Sequence, residues 1–347
     1  MTRNGDRILS RRRFLSVTAP LPAALLAAGG GRASIMQNTA RSKKGPAEPS
    51  YVALHAEGAL DRRAEELQAH YSDCSLCPRD CRVDRIKGET GKCQAPARVR
   101  VSSAFPHFGE EPPLVSTGGS GTVFLAHCAL RCVYCQNSTI SIDGHGQLVS
   151  DRELADAMLG LQRQGCHNIN FVTPTHYLPS IVNALRMAVP RGLRIPLVYN
   201  TGGYEKADIL RLLDGVFDIY LPDFKYWDPE KAARLSAEAY NYPHYARDAF
   251  REIHRQVGVL VTDARGVAVR GLMVRHLVLP NRAAGSKDVF RFIAEELSPD
   301  HYVNVMRQYR PEHRAAEFPE INRRLNTKEY AEAAAWAREA GLTRMAR

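Results

Sequence analysis

Three cysteines lie on one short stretch in the middle of the chain, at the spacing Cys128-x3-Cys132-x2-Cys135. Cysteine thiolates are the usual ligands of iron-sulfur clusters, and a protein that only carries electrons closes every corner of a four-iron cube with a thiolate. Three thiolates leave one iron free to bind another molecule. The spacing therefore predicts a 4Fe-4S cluster with an open iron, at which chemistry can take place.

A zinc knuckle is the main alternative for these thiols, because C-x2-C pairs are its usual unit. Zinc needs a fourth ligand, and no further cysteine follows Cys135 until Cys166. His127 is adjacent to Cys128, but neighbouring side chains on an extended loop point in opposite directions. We therefore expect iron rather than zinc at this loop, and an inert buried thiol at Cys166.

A second group of thiols precedes this loop, and we call it the N-terminal cysteine cluster: Cys74, Cys77, Cys81 and Cys93. Four thiolates can complete the coordination of a zinc ion or of a second iron-sulfur centre, and the spacing does not decide between them. Disulfides are the other alternative, but a chain with its own core does not depend on them. Gly88 and Gly91 would allow tight turns that bring backbone amides to a metal-bound sulfur.

Polar side chains follow the predicted strands of a barrel, where a parallel barrel places its functional loops. Polar groups at successive strand ends inside an apolar barrel are costly unless a ligand satisfies them, so we expect a cofactor there. The acidic segment 110–113 is expected to be an exposed connector. The polar candidates are Thr173, Thr175, His176, Asn200, Asp223, Lys225, Asn281, Arg307 and Gln308.

The elements that position these groups are predicted from hydrophobic patterning. From residue 122 onward, short apolar runs alternate with helical patterns, which is typical of parallel strands joined by crossover helices. A capping box, Ser150-x-x-Glu153, marks the start of the first crossover helix. We predict an α/β fold, a partial (β/α)6 TIM-like barrel with a Cys-rich N-terminal extension. The six strands are Thr122–Ala126, Asn168–Thr173, Arg194–Tyr199, Val216–Leu221, Met273–Val278 and Tyr302–Met306.

The predicted organisation of the chain has five parts. Residues 59–115 form the Cys-rich metal-binding segment, residues 116–312 form the barrel and residues 313–347 form a helical extension with a helix at Thr327–Glu339. Residues 1–36 are predicted to be a signal peptide and residues 37–58 a linker. A composition of 44% apolar and 24% charged residues suits one large globular domain with such appendages.

The N-terminus resembles a twin-arginine signal, because Ser10-Arg-Arg-Arg-Phe-Leu-Ser16 precedes an apolar run from Val17 to Ala28. This run is far shorter than the roughly 20 residues that span a bilayer. We expect export to the periplasm after the metal centres are in place, with an uncleaved extension on a cytoplasmic enzyme as the alternative. Residues 1–36 also carry six arginines and one aspartate, half of the net charge of +10, so no nucleic-acid partner is expected.

The cysteine loop resembles the signature of the radical S-adenosylmethionine (SAM) superfamily, C-x3-C-x-aromatic-C, with Tyr134 as the aromatic residue. Gly118-Gly-Ser-Gly-Thr-Val-Phe-Leu and Cys135-Gln-Asn-Ser-Thr-Ile-Ser resemble an uncharacterised branch related to the pyruvate formate-lyase activating enzyme, a likeness that covers about residues 70–310. The resemblance implies that the open iron chelates SAM and that one electron releases methionine and a 5'-deoxyadenosyl radical.

The same resemblance implies roles for single residues. Tyr134 corresponds to the aromatic residue that packs near the adenine of SAM. The activating enzymes carry a Gly-Gly-Glu motif for the SAM amino group after the second strand, where this chain has Thr173-Pro-Thr175-His176 instead. We expect Thr173, Thr175 and His176 to replace that motif, and we assign no such role to the Gly202-Gly203 pair.

The leading functional hypothesis is a radical SAM enzyme that activates a glycyl-radical enzyme or modifies another protein substrate. Its partners would be SAM and an electron donor of the flavodoxin or ferredoxin type. Radical modification of a small molecule or a peptide is the second hypothesis. The third, from another class, is a non-catalytic electron-transfer or scaffold protein, for which an open iron has no use.

Overall fold

The structure, a computed structural model, describes residues 48–346. The predicted signal peptide, residues 1–36, and the first part of the predicted linker lie outside the described residues. All described residues belong to one compact unit. No helix within the described range is long and apolar enough to cross a membrane.

A nine-stranded sheet organises the chain, in the order β3-β1-β2-β4-β5-β6-β8-β7, with β9 also paired to β8. Strands β2, β4, β5, β6, β8 and β9 are parallel to their neighbours in that series, which confirms the six predicted strands and the partial barrel. The strands are β1 Arg100–His107, β2 Ser120–Leu125, β3 Gln147–Leu148, β4 Ile169–Val172, β5 Leu197–Thr201, β6 Ile219–Pro222, β7 Val261–Thr262, β8 Ala268–Leu277 and β9 Tyr302–Met306.

Helices cover the outer face of the sheet and connect its parallel strands. The first crossover helix, α5, begins at the predicted capping box, in which the Ser150 hydroxyl accepts a hydrogen bond from the Glu153 amide. The helices are α1 Ser50–Ala56, α2 Ala59–Ala69, α3 Pro112–Val115, α4 Ser138–Ser141, α5 Asp151–Arg163, α6 Leu178–Ala188, α7 Ala207–Leu212, α8 Pro229–Leu235, α9 Tyr242–Val257, α10 Ser286–Phe292 and α11 Thr327–Glu339. A π-helical turn at Ile293–Leu297 extends α10.

The two faces of the sheet have separate apolar cores, because side chains alternate along each strand. Phe171 and Tyr199 belong to the large core under the helices. Val198, Leu221 and Met273 belong to a smaller core on the inner face, which also includes Leu114 of α3. The inner face is therefore closed at one end by the segment that follows β1.

The linker prediction is wrong for residues 50–56, which form α1. The hydroxyl and the amide of Ser50 both donate to Asp218, at 2.7 and 3.1 Å, and Tyr51 is fully buried with its hydroxyl on the Ile195 carbonyl. These partners lie more than 140 residues away in the sequence. Local composition carries no sign of such contacts.

The C-terminal extension packs against the barrel. Helix α11 has the predicted bounds, and its Asn326 and Glu329 form a second capping box. Met345 bridges to Val303 of β9 and so adds a further pairing to that strand.

Candidate functional site

The cysteine loop, residues 128–135, follows β2 and therefore lies at the carboxyl end of the barrel. Arg131 has a left-handed backbone with φ of 47°, and the Cys135 amide donates to the Cys132 carbonyl at 3.1 Å, so the chain turns tightly between the thiols. Cys132 is buried, while Cys128 and Cys135 are half-buried. This turn brings the three thiols to one side of the loop.

The thiols share a buried environment that contains hydroxyl groups. Burial, together with the neighbouring thiols of Cys132 and Cys135, raises the pKa of Cys128 to about 12. The Ser236 hydroxyl donates to the Cys132 sulfur at 3.0 Å, and Ser141 lies 2.9 Å from the Cys135 sulfur. Because a metal binds the thiolate and hydrogen bonds to sulfur stabilise that form, this loop suits metal ligation.

The donor set fits a 4Fe-4S cluster with one open corner. All eight cysteines lie within the described residues, each is a free thiol, and Cys166 is buried beside Gly121 at the opposite end of β2. Among residues 48–346, no group of three or more His, Cys, Asp or Glu side chains is arranged around a position for a single metal ion. A cube is a different case, because each thiolate binds its own iron.

His127 does not complete the loop as a fourth ligand. Its ring packs against Gly144, where a Cβ atom would lie only 2.4 Å away. Burial lowers the pKa of His127 to about 4.

Tyr134 is buried against other tyrosines. It is 5% exposed, its hydroxyl accepts a hydrogen bond from Tyr226 at 2.6 Å, and its ring meets Tyr309 edge to face at 5.7 Å. The Tyr226 hydroxyl also lies 2.8 Å from the Ser236 hydroxyl. Tyr226 is thereby linked to Cys132, whose sulfur accepts a hydrogen bond from Ser236. The expected packing of Tyr134 against an adenine stays a prediction.

Three of the predicted polar residues come together on the inner face of the sheet. Lys225 lies 2.7 Å from the Asp223 carboxylate, and both are linked to Asn200 through Arg275, a residue that the sequence did not single out. Lys225 and Leu130 of the cysteine loop both lie beside Gly202, where a Cβ atom would be 3.3 Å from the Lys225 Cε and 2.7 Å from the Leu130 Cδ1. Burial raises the pKa of Cys132, and the Lys225 ammonium partly offsets this. The structure thus places this polar network beside the cysteine loop.

The acidic segment 110–113 is not the exposed connector that we expected. Glu111 is 5% exposed and accepts a hydrogen bond from Asn304 at 2.9 Å, while Glu110 reaches Arg275 at 3.4 Å. Burial raises the pKa of Glu110, although Arg275 partly offsets this. Two carboxylates therefore enter the inner face of the barrel from the segment that leads into α3.

Thr175 and His176 are buried and already bonded, contrary to the expectation that they present free groups to a ligand. The Thr175 hydroxyl donates to Glu205 at 2.7 Å, and the His176 Nε2 lies 2.8 Å from the Ala126 carbonyl. Burial lowers the pKa of His176 to about 3, so its imidazole is neutral. Thr173 is half-buried with φ of 59°, and its amide donates to the Asn200 carbonyl at 2.7 Å.

The structure does not bring Asn281 to this network. Its side chain is exposed and is held by the Glu320 carbonyl at 2.7 Å and by Arg323 at 2.9 Å. The segment that leads into α11 binds this polar group, and the cofactor contact expected of Asn281 stays a prediction.

Gln308 and Arg307 line a cleft of about 390 Å³ at the end of β9. The backbone carbonyl of Gln308 accepts a hydrogen bond from Gln136, which directly follows the cysteine loop, at 3.2 Å. Arg310 and Arg324 line the same cleft, which is therefore rich in guanidinium groups.

Glu205 is a buried carboxyl that sequence reasoning missed. It is 1% exposed and accepts hydrogen bonds from the hydroxyls of Thr175, Thr201 and Tyr199. Burial raises its pKa to about 7. The signal that could have found it is the acidic residue after Gly202-Gly203-Tyr204, close behind a strand end.

The N-terminal cysteine cluster gathers four thiols in one loop region. Cys74, Cys77 and Cys93 are buried, and Cys81 is half-buried. The Lys92 amide donates to the Cys81 sulfur at 3.3 Å, and a Cβ atom on Gly91 would lie 2.7 Å from that sulfur. The glycine therefore lets a backbone amide approach the sulfur, as expected for a metal site. Within residues 48–346 these thiols, too, do not surround a position for a single metal ion, so an iron-sulfur centre fits them better than zinc.

Comparison with known proteins agrees with this geometry. The radical SAM superfamily matches residues 122–265, which include the cysteine loop, most of strand β2 and all of strands β4, β5 and β6. An uncharacterized protein of Methanocaldococcus jannaschii is 35% identical over 280 residues, which cover 78% of this chain and 75% of the relative.

Proposed function

The chain belongs to the radical SAM superfamily, and we propose that it is an activating enzyme, which generates a radical on a protein substrate. Its membership makes it a radical SAM enzyme that uses SAM, a 4Fe-4S cluster and a reductant. When bound, the cluster supplies an open iron for SAM and the electron that breaks a carbon-sulfur bond. The protein supplies orientation, electrostatics and the exclusion of water.

The observation that carries this function is the position of the three-thiol loop beside the network of Asn200, Asp223 and Lys225. We infer that Cys128, Cys132 and Cys135 hold the cluster. The amide and charged groups of the network then orient the amino acid part of SAM, because they lie together on the inner face beside the cysteine loop. Tyr134 and its tyrosine neighbours exclude water from one side of the loop.

The open form of the sheet is compatible with a protein substrate. Strands β3 and β9 occupy opposite ends of the strand series, and in the described part of the chain they do not pair with each other. A barrel that stays open along one side can admit an extended polypeptide, which a closed barrel cannot. Radical modification of a peptide would use the same opening.

The test of SAM cleavage is anaerobic reconstitution with iron and sulfide, reduction by dithionite and addition of SAM. We expect 5'-deoxyadenosine from the wild-type protein and none from Cys128→Ala, Cys132→Ala or Cys135→Ala. A loaded cluster, confirmed by its spectrum, that produces no 5'-deoxyadenosine would refute the enzymatic function and favour an electron carrier or scaffold.

The activase role needs a separate test. The reconstituted protein is incubated with SAM and with the proteins that co-purify with it, and the products are examined by electron paramagnetic resonance. A glycyl radical signal on a partner chain supports the activase. SAM cleavage in which 5'-deoxyadenosine takes up deuterium only from a deuterated small molecule or peptide would replace it by the second function.

We also propose that the N-terminal cysteine cluster holds a closed metal centre, for which iron-sulfur fits the arrangement of the thiols better than zinc. Metal analysis of the Cys128→Ala/Cys132→Ala/Cys135→Ala variant isolates that centre, because its four thiols remain. The expected export through the twin-arginine route is proposed on the sequence alone. It is tested by replacing Arg11 and Arg12 with lysine and measuring the periplasmic fraction, which should fall.

A further inference from the structure

We propose that the metal centre of the N-terminal cysteine cluster fixes the cysteine loop through Arg79, which makes Arg79 a positioning residue for SAM cleavage. Its role in cleavage rests on the proposed function, whereas its hold on the loop does not. Arg79 lies between Cys77 and Cys81 in the sequence. Two metal ligands therefore flank it at a distance of two residues on either side.

Arg79 links three separate segments of the fold. Its Nε donates to the Ala129 carbonyl and its Nη2 donates to the Ser236 carbonyl, both at 3.0 Å. Its guanidinium also lies over the Tyr204 ring, 5.3 Å from the centroid. Hydrogen bonds from a charged donor are stronger than neutral ones, and a planar guanidinium fixes the direction of both.

Both acceptors of Arg79 belong to the immediate surroundings of the cluster ligands. Ala129 directly follows Cys128, and the Ser236 hydroxyl donates to the Cys132 sulfur. One residue before Ser236, the Leu235 carbonyl accepts a hydrogen bond from the Val133 amide at 3.0 Å. A displacement of Arg79 would therefore disturb the surroundings of two of the three thiols that hold the cluster.

The N-terminal cysteine cluster holds Arg79 in turn. The Asp80 amide donates to the Cys77 carbonyl at 3.1 Å, and the Asp80 carboxylate pairs with Lys206 at 3.0 Å. Metal ligation of Cys77 and Cys81 would fix the backbone on both sides of Arg79. Without metal, this short loop keeps only its hydrogen bonds, and the guanidinium loses its rigid support.

A second arginine of the same segment makes a parallel contact. Arg85 is 2% exposed, and its guanidinium donates to the His176 carbonyl at 2.6 Å and lies 4.4 Å from the centroid of the Tyr71 ring. The loop after β4 is thereby held by the Cys-rich segment as well. Two loops at the carboxyl ends of the barrel strands thus depend on one N-terminal segment.

The first test is hydrogen exchange of the full chain, reconstituted with metal. Arg79→Gln should speed exchange of the Val133 and Cys135 amides about tenfold or more, because two charged hydrogen bonds are lost. Arg79→Lys should give an intermediate effect, since one ammonium cannot reproduce the planar pair. The matched control is Arg82→Gln, in the same segment, whose side chain is 61% exposed and forms an ion pair with the exposed Asp73. Wild-type exchange in Arg79→Gln would overturn the proposal.

The second test asks whether the metal centre of the N-terminal cysteine cluster acts on the cysteine loop through Arg79. Cys77→Ser should loosen the same two amides, and the double variant Cys77→Ser/Arg79→Gln should be no worse than Arg79→Gln alone. Additive effects would show that the metal centre does not act through Arg79. Thermal unfolding of each variant shows whether it is folded. If Arg79→Gln is not folded, Arg79→Lys replaces it in the comparison of exchange rates.

The effect of Arg79 on the interaction of SAM with the cluster is measured in the same variants. Arg79→Gln should keep wild-type iron content but weaken the SAM-induced change in the electron paramagnetic resonance spectrum of the reduced cluster, which Arg82→Gln should preserve. If the wild-type protein does not cleave SAM while Arg79→Gln still loosens the loop, the proposed function fails and the positioning role stands. If the wild-type protein cleaves SAM and Arg79→Gln matches Arg82→Gln in exchange and spectrum, the positioning role fails alone.

Discussion

The Arg275 guanidinium lies 2.8 Å from the Asp223 carboxylate on the inner face of the barrel, where the two side chains are only 18% and 14% exposed. Burial alone would raise the pKa of Asp223, but Arg275 and Lys225 hold it below its usual value. Burial likewise opposes the charge of Arg275, yet Asp223, Glu111 and Glu110 raise its pKa. Both groups are therefore ionised, and each depends on the other.

Arg275→Met should destabilise the protein strongly, because it leaves Asp223 and Glu110 with less compensation in a buried site. We expect a loss of about 3–5 kcal/mol in the free energy of unfolding, measured by urea denaturation. The control is Arg291→Met, which removes an exposed pair with Asp288 and should cost less than about 1 kcal/mol. Equal, small losses in the two variants would contradict an ionised buried pair.

Ser236→Ala should lower the reduction potential of the cluster without removing it. The hydroxyl of Ser236 donates to the Cys132 sulfur at 3.0 Å, and such a bond stabilises the more negative, reduced cluster. A potentiometric titration followed by electron paramagnetic resonance measures the shift. Ser138→Ala, in α4 near the loop, is the control and should keep the wild-type potential. An unchanged potential in Ser236→Ala would show that this hydroxyl does not act on the cluster.

The parallel strands of the barrel could be predicted because each buried strand has a continuous apolar run and each crossover has a helical period. The capping box at Ser150 and the helix at Thr327–Glu339 are local signals of the same kind. Strand β1 was missed because its sequence contains two serines and Pro106 and only half-buried positions, apart from the exposed Phe105. Its place in the sheet is decided by antiparallel pairing with β2.

Part of the site could also be predicted, because some of its residues belong to local sequence patterns. The three thiols are a local motif, and Asn200, Asp223 and Lys225 could be found because they follow strand ends. Arg275 lies within a strand pattern, where a charged residue gives no sign of its partners. The environment of Glu110 depends on Arg275, 165 residues away, whereas Glu205 follows a strand end and two of its donors, Tyr199 and Thr201, lie within six residues of it. The contacts of Asn281 with the C-terminal segment also have no local signal in the sequence.

Gly91→Ala should weaken metal binding at the N-terminal cysteine cluster. The added Cβ atom would lie 2.7 Å from the Cys81 sulfur and would displace the neighbouring Lys92 amide that donates to it. Loss of such a supporting contact typically lowers metal affinity about 10–100-fold. The affinity is measured by competition with a chelator in the Cys128→Ala/Cys132→Ala/Cys135→Ala background, with Thr90→Ala, an exposed neighbour, as the control. Wild-type affinity in Gly91→Ala would exclude close packing around Cys81.

Glu205 should make the stability of the protein depend on pH. Burial raises the pKa of its carboxyl from 4.5 to about 7 in the folded state, so the folded protein binds this proton more tightly than the unfolded chain. The stabilising contribution of the protonated form is complete below pH 4.5 and is lost as the pH rises through about 7. At 1.36 kcal/mol for each pH unit, the loss is at most about 3 kcal/mol.

Glu205→Gln removes this titration while keeping an amide oxygen that can accept hydrogen bonds from Thr175, Thr201 or Tyr199. The free energy of unfolding of both proteins is measured by urea denaturation between pH 5.5 and 8, and the wild-type value is subtracted from the variant value at each pH. The contributions of all other titrating groups cancel in this difference. The variant should gain stability relative to the wild type as the pH rises, with most of the gain complete near pH 8. Glu252→Gln is the control, because Arg255 and Gln256 bond that carboxylate and its pKa is lowered rather than raised. A difference between Glu205→Gln and wild type that stays constant with pH would mean that Glu205 does not titrate in this range.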